Sequence, residues 1–254
     1  MGDSLQHNDT FSQTIEEKEI QALIEQSKKR VAESFEKMSS SHAKIEEASG
    51  IFLREYIGSA LKLVVLYVDL VGSTLMTRNL PVDRLANVIQ TFTQEMSFII
   101  STFGGQVLKF VGDAVIAYFP VSANYSHACN TAIGCSHSMI MIAQQAINPV
   151  ISTYGYDGLQ LKIGLDTGKH SVIQYFIDKK AYADILGYGI SMAAKLSTLA
   201  RPNQVVISHG IYFGMHPTFR KKFIQMDLDP GTWKYIHEKF QPGVWRSLSL
   251  EDGE

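Results

Sequence analysis

From residue 61 to residue 208 the chain alternates apolar runs of strand length with stretches whose apolar residues recur at helical spacing. That alternation restricts it to folds in which a sheet packs against helices. Residues 63–69 read as a buried strand. Pro81 opens a helix in which Leu85, Val88, Ile89, Phe92, Met96, Ile99 and Ile100 keep helical spacing, and Gly104-Gly105 close it. Residues 106–111 and 114–119 read as strands facing each other across Gly112-Asp113, a hairpin signal. A helix over 127–147 follows, then strands at 159–166 and 171–175 joined by a turn at Thr167-Gly168-Lys169. A helix over 189–200 is stopped by Arg201-Pro202-Asn203, and 204–208 is a further short strand. The order predicts an α+β fold, a mostly antiparallel sheet with helices on one face. Beyond Ile211 the pattern fades, although Trp233 and Trp245 suit terminal strands.

Residues 1–59 read as an N-terminal helical segment and residues 60–254 as the main domain. The segment is rich in Glu, Lys, Gln and Ser, with a thin apolar stripe of Ile20, Leu23, Ile24, Val31, Phe35 and Met38. Ser39-Ser40-Ser41 interrupt it before a second short helix through Phe52 to Ile57. Two readings stay open: a helix packed on its own domain, or a short dimerisation element.

A formal net charge of -2 over 254 residues argues against a broad nucleic-acid surface. Cys129 and Cys135 share one apolar helical pattern and lack partners at zinc spacing, so they read as buried thiols of a reducing cytoplasm. No apolar run approaches the ~20 residues that span a bilayer, and the first residues lack the basic and apolar regions of a signal peptide. The expectation is a soluble cytoplasmic protein with no nucleic-acid or membrane partner.

Two aspartates carry the chemistry. Asp69 ends the apolar run of the first strand and precedes Leu70-Val71-Gly72-Ser73-Thr74, and Asp113 stands at the Gly112-Asp113 hairpin tip. A glycine and two hydroxyl residues after a strand can present backbone N–H groups to phosphate oxygens. Adjacent strands would bring both carboxylates to one end of the sheet, where they repel unless a Mg²⁺ or Mn²⁺ lies between them. His170 has no orienting partner nearby in sequence and reads as a structural or surface histidine. Met139 and Met141, beside Cys135 and Ile142, read as core packing.

Asp69-Leu70-Val71-Gly72-Ser73-Thr74, Lys109-Phe110-Val111-Gly112-Asp113, and Asp184-Ile185-Leu186-Gly187 through Ala193-Ala194-Lys195 resemble the motifs of class III nucleotidyl cyclases in order and spacing. The resemblance implies a ferredoxin-like catalytic domain over 60–254 and a head-to-tail homodimer with active sites at the interface. It also implies cyclisation of a nucleoside triphosphate with release of pyrophosphate, and two divalent cations, Mn²⁺ or Mg²⁺. By position, Asp69, Asp113 and the Leu70 carbonyl match the metal ligands, and Val71, Gly72, Ser73 and Thr74 match the phosphate-cradling turn. Lys109 and Asp184 match the residues that read the base, and Lys179 or Lys180 falls where a cation often meets the triphosphate.

Two positions depart from that family. Where it usually has Asn and Arg, orienting the ribose and stabilising the transition state, this chain has Ser191 and Lys195. Serine reaches less far than an amide, and lysine keeps the charge but loses the planar donor fork. A lysine is only a donor and an ionised aspartate only an acceptor, so the Lys109/Asp184 pair suits ATP or CTP and disfavours GTP or UTP. Ser191, Ala193-Ala194-Lys195 and Pro202-Asn203-Gln204 resemble the divergent cyclases of the bacterial anti-phage systems called Pycsar. That resemblance implies synthesis of cCMP or cUMP from CTP or UTP and a separate downstream effector that senses the product. An ordinary adenylate cyclase making cAMP and a degenerate nucleotide-binding regulatory domain are the alternatives.

Overall fold

The computed structural model describes residues 17–37, 43–229, 231, 233–235 and 243–248. Two helices, α1 (Glu17–Lys37) and α2 (Ala43–Arg54), precede the central strand β1 (Ala60–Leu70). Next come α3 (Ser73–Asn79), α4 (Val82–Thr102), the hairpin of β2 (Gln106–Val111) and β3 (Ala114–Pro120), and α5 (Tyr125–Ile142). A π-helical turn at Ala143–Ile147 carries α5 into α6 (Asn148–Thr153). β4 (Leu161–Ile177), β5 (Lys180–Leu186), α7 (Tyr188–Leu199) and β6 (Gln204–Ser208) follow. The last described elements are α8 (His209–Gly214), α9 (Pro217–Arg220), β7 (Phe223–Gln225) and β8 (Val244–Ser247). The sheet runs β2-β3-β1-β4-β6-β8-β7, with β5 on the far half of β4. Among the described strands only the β4–β6 pairing is parallel, so the expected α+β fold with a mostly antiparallel sheet is the one that forms.

The helices do not share one face of that sheet. Along β1, Val64, Leu66, Val68 and Leu70 join a core with residues of α1, α4 and α5, while Leu63 and Val65 join a second core with Leu53 of α2 and Ala193 of α7. The unbroken apolar run of 63–68 is the signature of a strand covered on both sides. Helix α7 lies so close to β4 that a Cβ on Gly164 would collide with the Ala193 carbonyl, which is why that strand position carries no side chain.

A second correction concerns β4. Thr167-Gly168-Lys169 is not a turn, because β1 pairs straight through it, with Val64 opposite Thr167 and Lys62 opposite Lys169. The Thr167 hydroxyl donates to the Leu63 carbonyl at 3.0 Å and pins that stretch further. The real reversal is at Asp178-Lys179, both at positive φ (47° and 67°), and it returns the chain as β5. Trp245 lies on β8 as expected, stacked on Tyr212 at 4.2 Å. Trp233 lies outside any strand and packs on the α7 side of the sheet.

Helix α1 packs on its own domain. Leu23, Ile24 and Val31 enter the main core, and Phe35 stacks on Tyr154 at 4.9 Å. Arg30 donates twice to Glu95 of α4, at 2.9 and 2.8 Å, and the Ser27 hydroxyl donates to the same carboxylate at 2.6 Å. Met38 and the Ser39-Ser40-Ser41 interruption lie outside the described residues. Both cysteines are buried, Met139 is fully enclosed, and Met141 packs against the core.

Candidate active site

β1 and β3 run antiparallel with Val68 opposite Val115, so the end of β1 lies beside the β2–β3 turn. That register brings Asp69 and Asp113 together. Their carboxyls are close enough to share a hydrogen bond, and the Asp69 pKa is pushed up to about 6. Burial is the largest cause, the Asp113 charge the next, and a hydrogen bond from the Leu70 N–H together with the charge of Lys162 opposes them. Lys162 stands directly across from Asp69 on β4. Tyr67, two residues before Asp69 and on the same face, has its pKa raised by burial and then by both carboxylates.

Asp113 Oδ2 is buried and has no hydrogen-bond partner. A buried, uncompensated carboxylate oxygen facing a second carboxylate costs free energy that a cation removes. Among the described residues no three His, Cys, Asp or Glu side chains share a metal position. Two carboxylates and a strand-end carbonyl are nevertheless the kind of partial oxygen set that Mg²⁺ or Mn²⁺ completes with substrate phosphates and water. The Leu70 side chain is buried in the core, so only the backbone of that residue faces the site.

The turn after β1 is anchored at its start. The Val71 N–H donates to the Gln160 carbonyl at 2.9 Å, so of the four expected cradle residues Val71 anchors the loop. Gly72 takes φ 72°, a left-handed conformation that favours glycine, and no side chain caps the first turn of α3. Ser73 and Thr74 open that helix.

A second charge pair lies on the other elements. Lys109 of β2 donates to Asp184 Oδ2 of β5 at 2.6 Å, and the Ile185 N–H donates to Asp184 Oδ1 at 2.8 Å. Helix α2 packs against both strands, through Leu53 beside Ile185 with Phe52 and Leu108 around them. The Lys109 and Asp184 side chains keep 39% and 20% of their surface exposed, so the pair still faces solvent. Ser191 and Lys195 lie four residues apart on one face of α7. Ser191 is exposed, and the Lys195 ammonium sits over the Tyr235 ring at 4.5 Å from its centre. Lys179 and Lys180 stand exposed at the β4–β5 reversal, at the other end of β4 from Lys162.

His170 is buried, its Nδ1 paired with the Gly168 carbonyl at 3.1 Å, and its ring fills the space a Cβ would take on Gly187 or Gly189. It is structural, with burial lowering its pKa. Sequence reasoning missed Tyr67, Lys162 and Tyr235. Alternation along β1 would have found Tyr67, the β1–β4 register was needed for Lys162, and no local signal marks Tyr235.

Known proteins resemble this chain in sequence and in fold. A uridylate cyclase of Rhodovulum sp. (strain MB263) is 28% identical over 136 residues, 53% of this chain and 57% of that protein. A cytidylate cyclase of Escherichia coli is 25% identical over 160 residues, 59% of this chain and 34% of that one. The chain therefore spans about half or less of the length of these relatives. The crystal structure of the adenylyl cyclase CyaB from P. aeruginosa superposes with a TM-score of 0.64 at 20% identity, covering 75% of this chain and 95% of the other. The model of the adenylate and guanylate cyclase catalytic domain matches residues 56–227, well over half of the 254 residues, and the chain belongs to that family.

Proposed function

We propose that this chain is a nucleotidyl cyclase that converts a pyrimidine nucleoside triphosphate, CTP before UTP, to its 3′,5′-cyclic monophosphate and pyrophosphate. The observation that carries the reading is the facing of Asp69 and Asp113 with one carboxylate oxygen buried and unpartnered. Asp69, Asp113 and the Leu70 carbonyl would hold two Mg²⁺ or Mn²⁺ ions. When bound, these would acidify the ribose 3′-hydroxyl and neutralise the triphosphate. The Gly72–Thr74 turn orients the phosphates, and Lys195 meets charge that grows at the α-phosphate. The O3′–Pα bond forms as the bond from Pα to the bridging oxygen breaks. Pyrophosphate leaves with that electron pair, and the 3′-hydroxyl proton passes to solvent.

The base is read by what the Lys109–Asp184 pair has left to offer. An ammonium has three donors and spends one on Asp184. Another can reach cytosine N3 while the carboxylate accepts from N4, whereas uracil presents a ring N–H beside carbonyls. A uridylate cyclase and a cytidylate cyclase among the relatives support a pyrimidine, and the preference for CTP over UTP rests on the Lys109–Asp184 pair alone. ATP offers the same acceptor–donor order as CTP, and adenylate cyclisation is the second reading.

Asp69 and Asp113 lie at one end of the sheet and Lys179 and Lys180 at the other end of β4, a separation that a second copy would bridge. Phe176, Ile177, Leu186 and Tyr188 on and after the β4–β5 hairpin are 53–68% exposed, an apolar surface that suits the partner of a homodimer. Lys179 and Lys180 lie on the same hairpin and would act on the partner's triphosphate. We place the product as a second messenger in bacterial antiviral defence, sensed by a separate effector. No described helix is long and apolar enough to cross a membrane.

The test is incubation of the purified protein with Mn²⁺ and each of the four triphosphates, with products identified by mass. Cyclic product from CTP or UTP supports the proposal, and product from ATP alone supports the second reading. Intact nucleotide binding with no product from any of the four sinks both and leaves a regulatory domain.

A further inference from the structure

Lys195 replaces the arginine that this family usually carries, and a lysine is the poorer tool for holding a fixed direction. Its ammonium is a point charge on a flexible stem, where a guanidinium is a rigid fork that orients itself on two oxygens. The structure holds a device that answers this loss. Helix α7 is clasped between the sheet and the stretch that follows β7. On the sheet side Gly164 admits its backbone. Beside it Met192, Leu196 and Ala200 pack on Val206 of β6 and Val244 of β8, and Leu199 with Met226, Leu228, Trp233 and Tyr235 of the later stretch close around them.

Tyr235 is itself anchored. Trp233 stands edge-on to it at 4.8 Å and 73°, and the Trp233 backbone N–H donates to the Asp229 carbonyl at 2.9 Å. The ring so fixed turns its face to Lys195, whose Nζ lies 4.5 Å from the ring centre. That is within the range at which an aromatic face attracts a cation through its quadrupole. Tyr188, Ser191 and Lys195 share one face of α7 by helical spacing. Among the described residues no carboxylate forms an ion pair with Lys195. This matters chemically. A carboxylate would hold the ammonium equally well but would spend its charge, whereas a ring face restrains it and leaves the full positive charge for phosphate oxygens.

We propose that Tyr235 is a positioning residue for the cyclisation, holding the Lys195 ammonium over its ring so that this lysine does the work of the usual arginine. The inference rests on the cyclase reading above. It predicts a role for Tyr235 in the reaction rather than in substrate affinity. The ring, not the hydroxyl, is the working part.

The experiment compares Tyr235→Leu and Tyr235→Phe in the wild-type and Lys195→Ala backgrounds, measuring kcat and KM with Mn²⁺ and the triphosphate that the wild type turns over. Tyr235→Leu should lower kcat about tenfold with KM unchanged within about twofold, and Tyr235→Phe should keep kcat within about twofold. In the Lys195→Ala background Tyr235→Leu should cost nothing further. A Tyr235→Leu enzyme of full kcat, a Phe variant as poor as the Leu variant, or an undiminished loss without Lys195 each overturns the proposal. NMR of the Lys195 side chain gives a readout free of turnover. Its ε-methylene protons should be shifted upfield by the ring in wild type and Tyr235→Phe, and should lose that shift in Tyr235→Leu. A wild type that makes no cyclic nucleotide brings down the cyclase reading. An unshifted Lys195 in wild type brings down this inference alone.

Discussion

Glu95 and the Asp69–Asp113 pair are all carboxylates drawn out of water, and the chain treats them in opposite ways. Glu95 meets both arms of Arg30 and the Ser27 hydroxyl, so its charge is answered within the fold. Asp69 and Asp113 meet each other, and Asp113 Oδ2 meets nothing. A charge compensated in place secures the packing of α1 on α4. A charge left uncompensated at the end of a strand costs free energy that the rest of the core must bear, and it is the charge that the proposed reading reserves for a cation. His137 takes a third course. Partly buried on α5 and stacked on Phe223, it stays neutral, its pKa lowered to about 4 by desolvation and then by Lys222.

The contrast can be broken most directly at Asp113. Asp113→Ala should lower turnover by about a thousandfold. It should also raise the Tm of metal-free protein by about 2–4 °C, because it removes a repelling charge. A drop in both activity and metal-free Tm would show that Asp113 serves the fold, as Glu95 does. Arg30→Met should do the reverse. Stranding Glu95 should destabilise the chain by about 3–5 kcal/mol in urea unfolding, while the protein that remains folded turns over at the wild-type rate. A loss under about 1 kcal/mol would place the pair with ordinary surface bridges.

The smallest effect is the pH dependence of His137. Its folded-state pKa lies below the ordinary 6.5, so the unfolded chain binds the proton first as pH falls. The stability tied to its neutral form is present above about pH 6.5 and is lost as pH falls toward about 4, by up to about 3 kcal/mol. His137→Phe should flatten that limb of a stability-against-pH curve, and an unchanged slope would show that other groups set it.

Much of this was legible along the chain. The strand of 63–69, the helix opened by Pro81 and the β2–β3 hairpin rest on local spacing and turn chemistry, which act between neighbours in sequence. The motif residues were legible for the same reason, since Asp69 ends an apolar run just before a small-residue turn and Asp113 stands at a hairpin tip. The break assigned to Thr167-Gly168-Lys169 failed because turn-prone residues were overridden by pairing with β1, and pairing is not written in those three residues. Placing all helices on one face failed because α7 seats on Gly164, a strand glycine whose meaning appears only once its neighbour is known.

The sequence by itself determined the fold class and the family, and it marked the two aspartates as candidates, because periodicity and turn residues carry their energy locally. The tertiary structure decided which charges are answered. Lys109 and Asp184 are separated by 75 positions and meet at 2.6 Å, Arg30 finds Glu95 across two helices, and Tyr235 closes on Lys195 from beyond β7. Each contact depends on strand register and helix packing, and those are settled by the summed burial of the whole core rather than by any stretch of chain alone.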